Sequence, residues 1–319
     1  MSVVPAASLA PASATSGLSW NPVTDAQTML GYHFMLNALR AGTIVAVVAG
    51  AIGYVMVLRR QAFAGHTLSV IGFPGAAGAT LLGIGPAAGY FGFCVAGALV
   101  IAALPASTRA GVGSGGSPEE SAGIGTVQAV ALASGFLFVG LYRGFLTGLN
   151  NLLFGTITGI TDTQVLILLV AGGLCVIALG ATARPLIFAS VDPAVAAATG
   201  VPVRALSVGF LALLGIAAAG TSQVTGSLLV FALLVAPAAA AARVSASPAA
   251  GFAWSVGIAL VVTWVGETMA FFSPFPIGFW VTSVGFAAFL LATAYRRLAD
   301  HAGTPLGLHP AAGPAGGRA

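Results

Sequence analysis

The sequence predicts an all-α, polytopic integral membrane protein. Of its 319 residues, 58% are hydrophobic and only 6% are charged, whereas soluble domains carry about 25% charged residues. A chain with so few charges cannot cover a water-exposed surface, but its composition suits a lipid solvent. The 44 glycines favour the same class, because small residues let membrane helices approach closely.

About nine apolar segments approach the roughly 20 residues that a helix needs to cross a bilayer, and a count of about eight to ten is compatible with the sequence. Four of the segments are short and form two closely joined pairs, each of which could be a hairpin of broken helices. The predicted spans are 38–58, 68–85, 87–105, 122–142, 163–182, 205–221, 226–242, 251–272 and 277–295.

These spans divide the chain into three parts. Residues 1–32 form a low-complexity segment rich in serine, alanine and proline. Residues 33–298 form the transmembrane domain. Residues 299–319 form a tail whose glycine, proline and alanine content predicts disorder.

The arginines predict the orientation of the helices. All 11 basic residues are arginine. If about nine helices cross the bilayer and the C-terminus is cytoplasmic, only Arg40 and Arg143 lie outside, which is the positive-inside bias. We therefore expect the N-terminus outside. The arginines are too scattered to form a nucleic-acid surface.

The cytoplasmic segment 183–204 contains a short predicted helix. Asp192 precedes Pro193, which suits an N-cap followed by proline at the first helical position. Residues 194–199 follow as about one and a half turns, and Gly200 favours a helix end. The residues alone leave two interpretations open, a plain connector or a functional element at the cytoplasmic face.

No enzyme motif is present in the sequence. The chain has no GxSxG and no HExxH, and without lysine it cannot contain a Walker A motif. We therefore predict a conduit with no ATPase site and no cofactor of its own.

Ionisable side chains within the spans are few, and such groups are functional candidates. His66 opens the second span and Glu267 lies late in the eighth. Glu267 is about 24 Å from the inner edge at 1.5 Å per residue, so on straight helices the two cannot bind one ion. Structural interpretations remain open for both, with His66 as an interfacial cap and Glu267 as a carboxylate satisfied by neighbouring threonines or backbone.

Other polar or helix-breaking residues could line a pathway through the bundle. Ser69 and Gln223 are uncharged polar side chains in or beside spans. Pro74 lies inside a span, where it frees a backbone carbonyl. Freed carbonyls line cavities in transporters, but a proline is equally common as a plain kink.

Several motifs occur in an order that resembles the membrane permeases of zinc/manganese ABC importers, over about 260 residues of hydrophobic sequence. They are GYVMVLRRQAFAGHTLSVIGFPGAAGA at 53–79, ESAGIG at 120–125, LLFG at 152–155, ASVDPAVAAATGVPV at 189–203, SQVTGSLLVFALLVAPAAAAAR at 222–243 and PIG at 276–278. No single motif is decisive, but their order along the chain is specific.

The resemblance implies a type II ABC importer permease-like bundle in the bacterial plasma membrane. It implies that segment 183–204 docks on a cytoplasmic ATPase subunit, which carries the ATP and Mg²⁺. The matching coupling residues are Asp192, Pro193, Ala197, Gly200 and Val201. It further implies a second copy of the chain, an extracytoplasmic substrate-binding protein, and alternating access driven by the ATPase.

One departure from the family pattern bears on the cargo. The family's G-D-A-L-S-H aligns with residues 65–70, so His66 replaces an aspartate and Val70 replaces a histidine. Pro274 replaces an acidic residue before the late Pro-x-Gly. Ligands suited to Mn²⁺ or Zn²⁺ are therefore missing, and His66 is the remaining candidate metal ligand.

The expected pathway residues are His66, Ser69, Pro74, Gln223 and Glu267. Zinc or manganese is the expected cargo. The missing ligands leave two alternatives open, a permease for a metal chelate such as haem, siderophore or cobalamin, and an ATP-independent channel or secondary transporter.

Overall fold

The chain folds into a bundle of α-helices in a computed structural model. The structure describes residues 22–104, 118–142, 153, 155, 159–227 and 230–301, and these ranges contain no β-strand. The helices are α1 (Pro22–Leu30), α2 (His33–Leu58), α3 (Ala62–Leu81), α4 (Pro86–Ala103), α5 (Pro118–Leu141), α6 (Asp162–Val191), α7 (Pro193–Ala198), α8 (Val203–Thr225), α9 (Val230–Val244), α10 (Pro248–Phe272) and α11 (Ile277–His301). The expected all-α class is confirmed.

Each of the nine predicted spans corresponds to one helix, α2–α6 or α8–α11. Among the described residues, 7 helices are long and apolar enough to cross a membrane, and α3 and α9 are not among them. With 15 residues, α9 is about 22 Å long at 1.5 Å per residue. That is shorter than a hydrocarbon core of roughly 30 Å. The count of nine is therefore approximate.

The helices extend beyond the apolar stretches that revealed them. The predicted span 163–182 is part of α6, which has 30 residues and continues through Arg184 and Pro185 to Val191. Residues 183–191 are therefore helix, and the expected loop is shortened to the part after Val191. Helix α3 likewise begins six positions before its predicted span, at Ala62. Hydropathy finds the continuous apolar stretch of a helix, whereas turns that contain histidine, arginine or proline can continue the same helix beyond it.

The pairs that could have been hairpins of broken helices contain continuous helices. Helix α3 runs through Pro74 without interruption. A turn of four residues, Leu82–Gly85, joins it to α4, and Gly83 in this turn has φ +73°. Helix α8 continues to Thr225 before the chain turns at Gly226, where φ is +79°.

Helix α2 is the centre of the bundle. In its apolar stretch 72% of the residues are buried, against 11% in α5. It packs against α6, α8, α9 and α10. The outer helices expose large apolar side chains such as Val130, Phe136 and Leu174, as expected for surfaces that face lipid or another protein.

Three glycines bring α2 into close contact with its neighbours, and we call Gly42, Gly50 and Gly53 the α2 glycine seam. A Cβ added at Gly50 would lie 2.7 Å from the Cα of Val256 in α10, and one at Gly53 would overlap the carbonyl oxygen of Leu234 in α9. Only hydrogen at Gly50 and Gly53 permits this approach of backbones, whereas Gly42 faces a side chain of α10, that of Glu267.

A second group of helices consists of α3, α4 and α5, with α8 packed against α3 and α4. Helices α3 and α4 approach closely at Gly75 and Gly89, where an added Cβ on either would overlap the other's carbonyl oxygen. A Cβ on Gly215 of α8 would lie 2.8 Å from the carbonyl oxygen of Cys94 in α4. Helix α8 therefore connects the hairpin to α2.

Candidate functional site

The short helix α7 has defined ends on both sides. Asp192 is its N-cap, and one carboxylate oxygen accepts hydrogen bonds from the backbone N–H of Ala194 at 3.1 Å and of Val195 at 3.0 Å. Pro193 occupies the first turn. Gly200 follows with φ +86°, a conformation that glycine adopts without strain. The predicted capped helix is confirmed, whereas its docking role stays a prediction.

Most of α7 faces outward. Ala196 is completely buried against the bundle, while Ala197 and Gly200 are exposed and Asp192, Pro193 and Val201 are half-buried. Val195 exposes 48% of its surface. A rigid helix with small and apolar outward side chains provides a surface that a protein partner can cover.

The helices before and after α7, α6 and α8, both contact a buried arginine. Arg59 follows the last residue of α2, and only 1% of its surface is exposed. Its Nη1 donates to the Oγ of Ser190 in α6 at 3.0 Å, and its Nη2 donates to the Oγ of Ser207 in α8 at 2.7 Å. Burial lowers the pKa of the Arg59 guanidinium to about 10, so the group remains charged at neutral pH.

His66 lies one turn into α3, next to the first turn of α9. Its ring centroid is 5.0 Å from that of Phe231, with the ring planes at 71°. The Nδ1 atom is buried and has no hydrogen-bond partner among the described residues. The imidazole is therefore held by an aromatic edge contact, and one ring nitrogen is left without a partner.

Ser69 and Pro74 share α3 with His66 and are both buried. The Ser69 hydroxyl donates to the carbonyl of Gly65 at 2.8 Å, within its own helix. Pro74 has no N–H to offer the carbonyl of Val70, so the proline removes one helical hydrogen bond at that level.

Gln223 lies near the end of α8, and both atoms of its side-chain amide are buried without a partner among the described residues. Its neighbour Ser222 packs on α3, with its Oγ 3.1 Å from where a Cβ on Gly72 would be. The structure therefore places His66, Ser69, Pro74 and Gln223 on two helices that pack together.

Glu267 lies elsewhere, between α10 and α2. It is fully buried, and neither carboxylate oxygen has a hydrogen-bond partner in the described part of the chain. A Cβ at Gly42 would overlap its Oε1 atom. Thr263, one turn earlier in α10, is also buried with an unpartnered hydroxyl. The neighbouring threonine therefore does not satisfy the carboxylate.

No group of three or more histidine, cysteine, aspartate or glutamate side chains that could hold a metal ion occurs within the described ranges. His66 therefore belongs to no such group there. His66 contacts Phe231 of α9, whereas Glu267 meets Gly42 of α2. That the two cannot bind one ion stays a prediction.

Sequence reasoning missed the contacts of Arg59. It treated Arg59 and Arg60 alike, as topology signals at the end of a span. The side chains differ sharply, because Arg60 is exposed and has φ +56°. Neighbouring arginines carry no local signal that separates the buried one from the exposed one.

Comparison with known proteins identifies a family and a set of relatives. The sequence pattern of the ABC 3 transport family matches residues 31–296. The manganese transport system membrane protein MntC of Halalkalibacterium halodurans is 29% identical over 213 residues, which are 67% of this chain and 70% of the relative. The manganese import system permease protein ScaB of Streptococcus parasanguinis is 29% identical over 210 residues, 66% of this chain and 72% of the relative.

One solved structure, PsaBC from Streptococcus pneumoniae in complex with Fab, has the same arrangement of helices. The TM-score is 0.76 at 24% identity, and the match covers 88% of this chain and 99% of the other. At this identity the likeness supports the fold and nothing finer.

Proposed function

The chain belongs to the ABC 3 transport family, and we propose that it is a permease subunit that imports a divalent metal ion, with manganese as the preferred cargo. The relatives MntC and ScaB are named for manganese transport. Family membership argues against an ATP-independent channel or secondary transporter, because such proteins have no use for a partner ATPase.

The observation that carries this proposal at the residue level is the exposed, capped helix α7. It lies between two long apolar helices, α6 and α8. A rigid surface element between two helices can transmit a push from a partner to both of them. We assign ATPase docking to Asp192, Pro193, Ala197, Gly200 and Val201.

The remaining machinery belongs to other subunits. A separate cytoplasmic ATPase binds ATP and Mg²⁺, a second copy of this chain completes the membrane portion, and an extracytoplasmic binding protein delivers the ion. Closure of the ATPase pair moves α7, and the bundle then alternates between outward and inward access. This arrangement sets the C-terminus in the cytoplasm and the N-terminus outside.

The proposed pathway follows α3 and the end of α8. The imidazole of His66 is the candidate metal ligand; imidazole suits Zn²⁺, whereas oxygen ligands suit Mn²⁺. Its Nδ1 lacks a partner in the described chain. Ser69, Gln223 and the carbonyl freed by Pro74 supply uncharged oxygen along the same helices. Glu267 is proposed as a separate binding position for the ion, at the α2–α10 interface.

The second candidate function is import of a metal chelate. It is favoured by the lack of any three-ligand metal group among the described residues. A chelate brings its own ligands, so its permease needs fewer. The relatives favour the free ion.

The test is transport by the complete complex in proteoliposomes, with the ATPase and binding protein that copurify with the tagged chain. We expect ATP-dependent uptake of radioactive Mn²⁺ above that of Zn²⁺, and none of haem or cobalamin. Uptake of a chelate without free-ion uptake would establish the second candidate instead.

The role of His66 is tested in the same vesicles. His66→Ala should lower Mn²⁺ uptake, because it removes the candidate ligand. His33→Ala is the matched control, since His33 is exposed at the start of α2. Equal uptake by both variants and the wild type would remove His66 from the pathway.

A further inference from the structure

Three segments converge on Arg59 at the cytoplasmic end of the bundle. They are the end of α2, the last turn of α6 and the first turns of α8. Ser190 lies two residues before Asp192, the N-cap of α7, and Ser207 lies four residues after Val203, where α8 begins. Arg59 therefore contacts the chain on both sides of α7.

The geometry of the contact uses the forked shape of the guanidinium. Separate nitrogens reach separate partners, Nη1 to Ser190, Nη2 to Ser207, and Nε to the Oε1 of Gln61 at 3.3 Å. The Cζ atom also lies 5.5 Å from the ring centroid of Phe210 in α8. A lysine ammonium could not reproduce this planar set of contacts.

The electrostatic setting favours a cation at this position. Arg59 caps the C-terminus of α2, and Ser190 lies in the last turn of α6. The C-terminal end of a helix carries partial negative charge on its unpaired carbonyls. Two such ends meet here, and they stabilise the guanidinium beside the neutral side chains of Ser190, Ser207 and Gln61.

Arg59 also stands at the start of α3. Only Arg60 and Gln61 separate it from Ala62, the first residue of α3, and Gln61 is itself a partner of Arg59. A displacement of α7 that shifts Ser190 or Ser207 therefore acts on the α2–α3 turn. Helix α3 carries His66, Ser69 and Pro74.

We propose that Arg59 is a positioning residue that links the α7 surface to α3, so that movement of the docking helix reaches the helix of the proposed pathway. This inference rests on the proposed function, because it requires an ATPase that acts on α7. Arg59 itself contacts neither ATPase nor cargo in this scheme.

The test compares variants in the assembled complex, reconstituted in proteoliposomes. Arg59→Met removes the charge and the hydrogen bonds, and Arg59→Lys keeps the charge without the fork. Ser190→Ala and Ser207→Ala each remove one acceptor and leave Arg59 in place. Arg60→Met is the matched control, because Arg60 is the adjacent, exposed arginine.

The decisive quantity is the amount of Mn²⁺ transported per ATP hydrolysed, for complexes that retain the ATPase. For Arg59→Met, and to a smaller extent Arg59→Lys and Ser207→Ala, we expect this ratio to fall, by about fivefold or more in the first case. The control should match the wild type. A purely structural role would lower the yield of complex but not this ratio.

A double variant distinguishes loss of the Arg59–Ser207 hydrogen bond from a general disturbance of the structure. Arg59→Met together with Ser207→Ala should lower the ratio no further than Arg59→Met alone, because both remove the same hydrogen bond. If Arg59→Met fails to assemble, the two serine variants decide the question.

An unchanged ratio in the assembled Arg59→Met complex, or in both serine variants, would overturn the inference. Failure of the proposed function has a different signature, in which the wild-type complex itself shows no ATP-dependent Mn²⁺ uptake or the chain retains no ATPase.

Discussion

Gly42 and Glu267 occupy complementary positions across the α2–α10 interface. The carboxylate fills the space that a side chain on residue 42 would need, and it is fully buried there. Buried carboxylates without partners are rare in native proteins, because desolvation of the group is costly. The pair therefore combines a packing requirement with a buried polar group that calls for an explanation, in packing or in function.

The packing requirement predicts that Gly42→Ala destabilises the protein. Overpacking costs about 1–3 kcal/mol, which exceeds the gain of about 0.5–1 kcal/mol from replacing glycine in a helix. Thermal unfolding in detergent should show the loss. Gly257→Ala in α10 is the control and should be neutral or stabilising, because a Cβ there would meet nothing within 4 Å. Adding Glu267→Ala to Gly42→Ala should restore stability, and failure to do so would contradict the proposed overlap.

Because the Glu267 carboxyl group is buried, we expect Glu267→Gln to have opposite effects on stability and on transport. The amide keeps the shape and cannot ionise, which removes the cost of burying a carboxylate charge, so the free energy of unfolding should rise by about 1 kcal/mol. Mn²⁺ uptake should fall several-fold if the carboxylate binds the ion during transport. Increased stability with unchanged uptake would assign Glu267 to packing alone.

Single residues show where sequence reasoning succeeds and where it stops. Glu267 and His66 were found as candidates because ionisable groups in apolar spans are conspicuous. Their surroundings were not found, since the fit of Glu267 to Gly42 joins positions more than 200 residues apart. Arg59 was missed as a site because its burial depends on Ser190 and Ser207, which lie 131 and 148 residues away along the chain.

At the scale of elements, α7 was predictable because its signals are local. An N-cap, a proline at the first position and a terminal glycine act within a few residues of one another, and the structure has all three. The end of α6 was not predictable in the same way. Its last turns carry arginine and proline, which end an apolar stretch without ending the helix.

The cap of α7 predicts the effect of Asp192 variants on ATPase docking. Asp192→Ala removes both capping hydrogen bonds and should cost about 1 kcal/mol of helix stability, which weakens binding of the ATPase several-fold. Asp192→Asn is the control, because asparagine caps equally well. The dissociation constant of the copurified ATPase is the measurement. If the asparagine variant binds as weakly as the alanine variant, the carboxylate charge and not the cap is what the ATPase requires.

At the scale of the whole molecule, the sequence predicts the approximate number of helices but not which helices pack against each other. Most helices are apolar on every side, so the sequence does not indicate which face meets which partner. The central position of α2 follows from small residues at Gly50 and Gly53 that admit a neighbouring backbone. Such glycines are indistinguishable in sequence from others that meet nothing, such as Gly173.

An odd number of crossings predicts that the two termini lie on opposite sides of the membrane. A green fluorescent protein fused to the C-terminus should fluoresce, because it folds in the cytoplasm. Alkaline phosphatase fused to the N-terminus should be active, because it requires the outer side. If both reporters placed the termini on the same side, one of the two helices outside the seven span-like ones, α3 or α9, would not complete a crossing.

The α2 glycine seam has a mechanical consequence for any transport cycle. Within this seam Gly50 and Gly53 contact the backbones of α10 and α9, and such contacts contain no rotatable side-chain tips that could absorb a displacement. We therefore expect α2, α9 and α10 to translate and tilt as one rigid block. We then expect relative motion at the boundary between this block and the hairpin of α3 and α4, with the α2–α3 turn as the pivot. Spin labels on α2 and α10 should keep a constant separation with and without ATP, whereas a pair on α2 and α3 should not; a changing α2–α10 separation would disprove the rigid block.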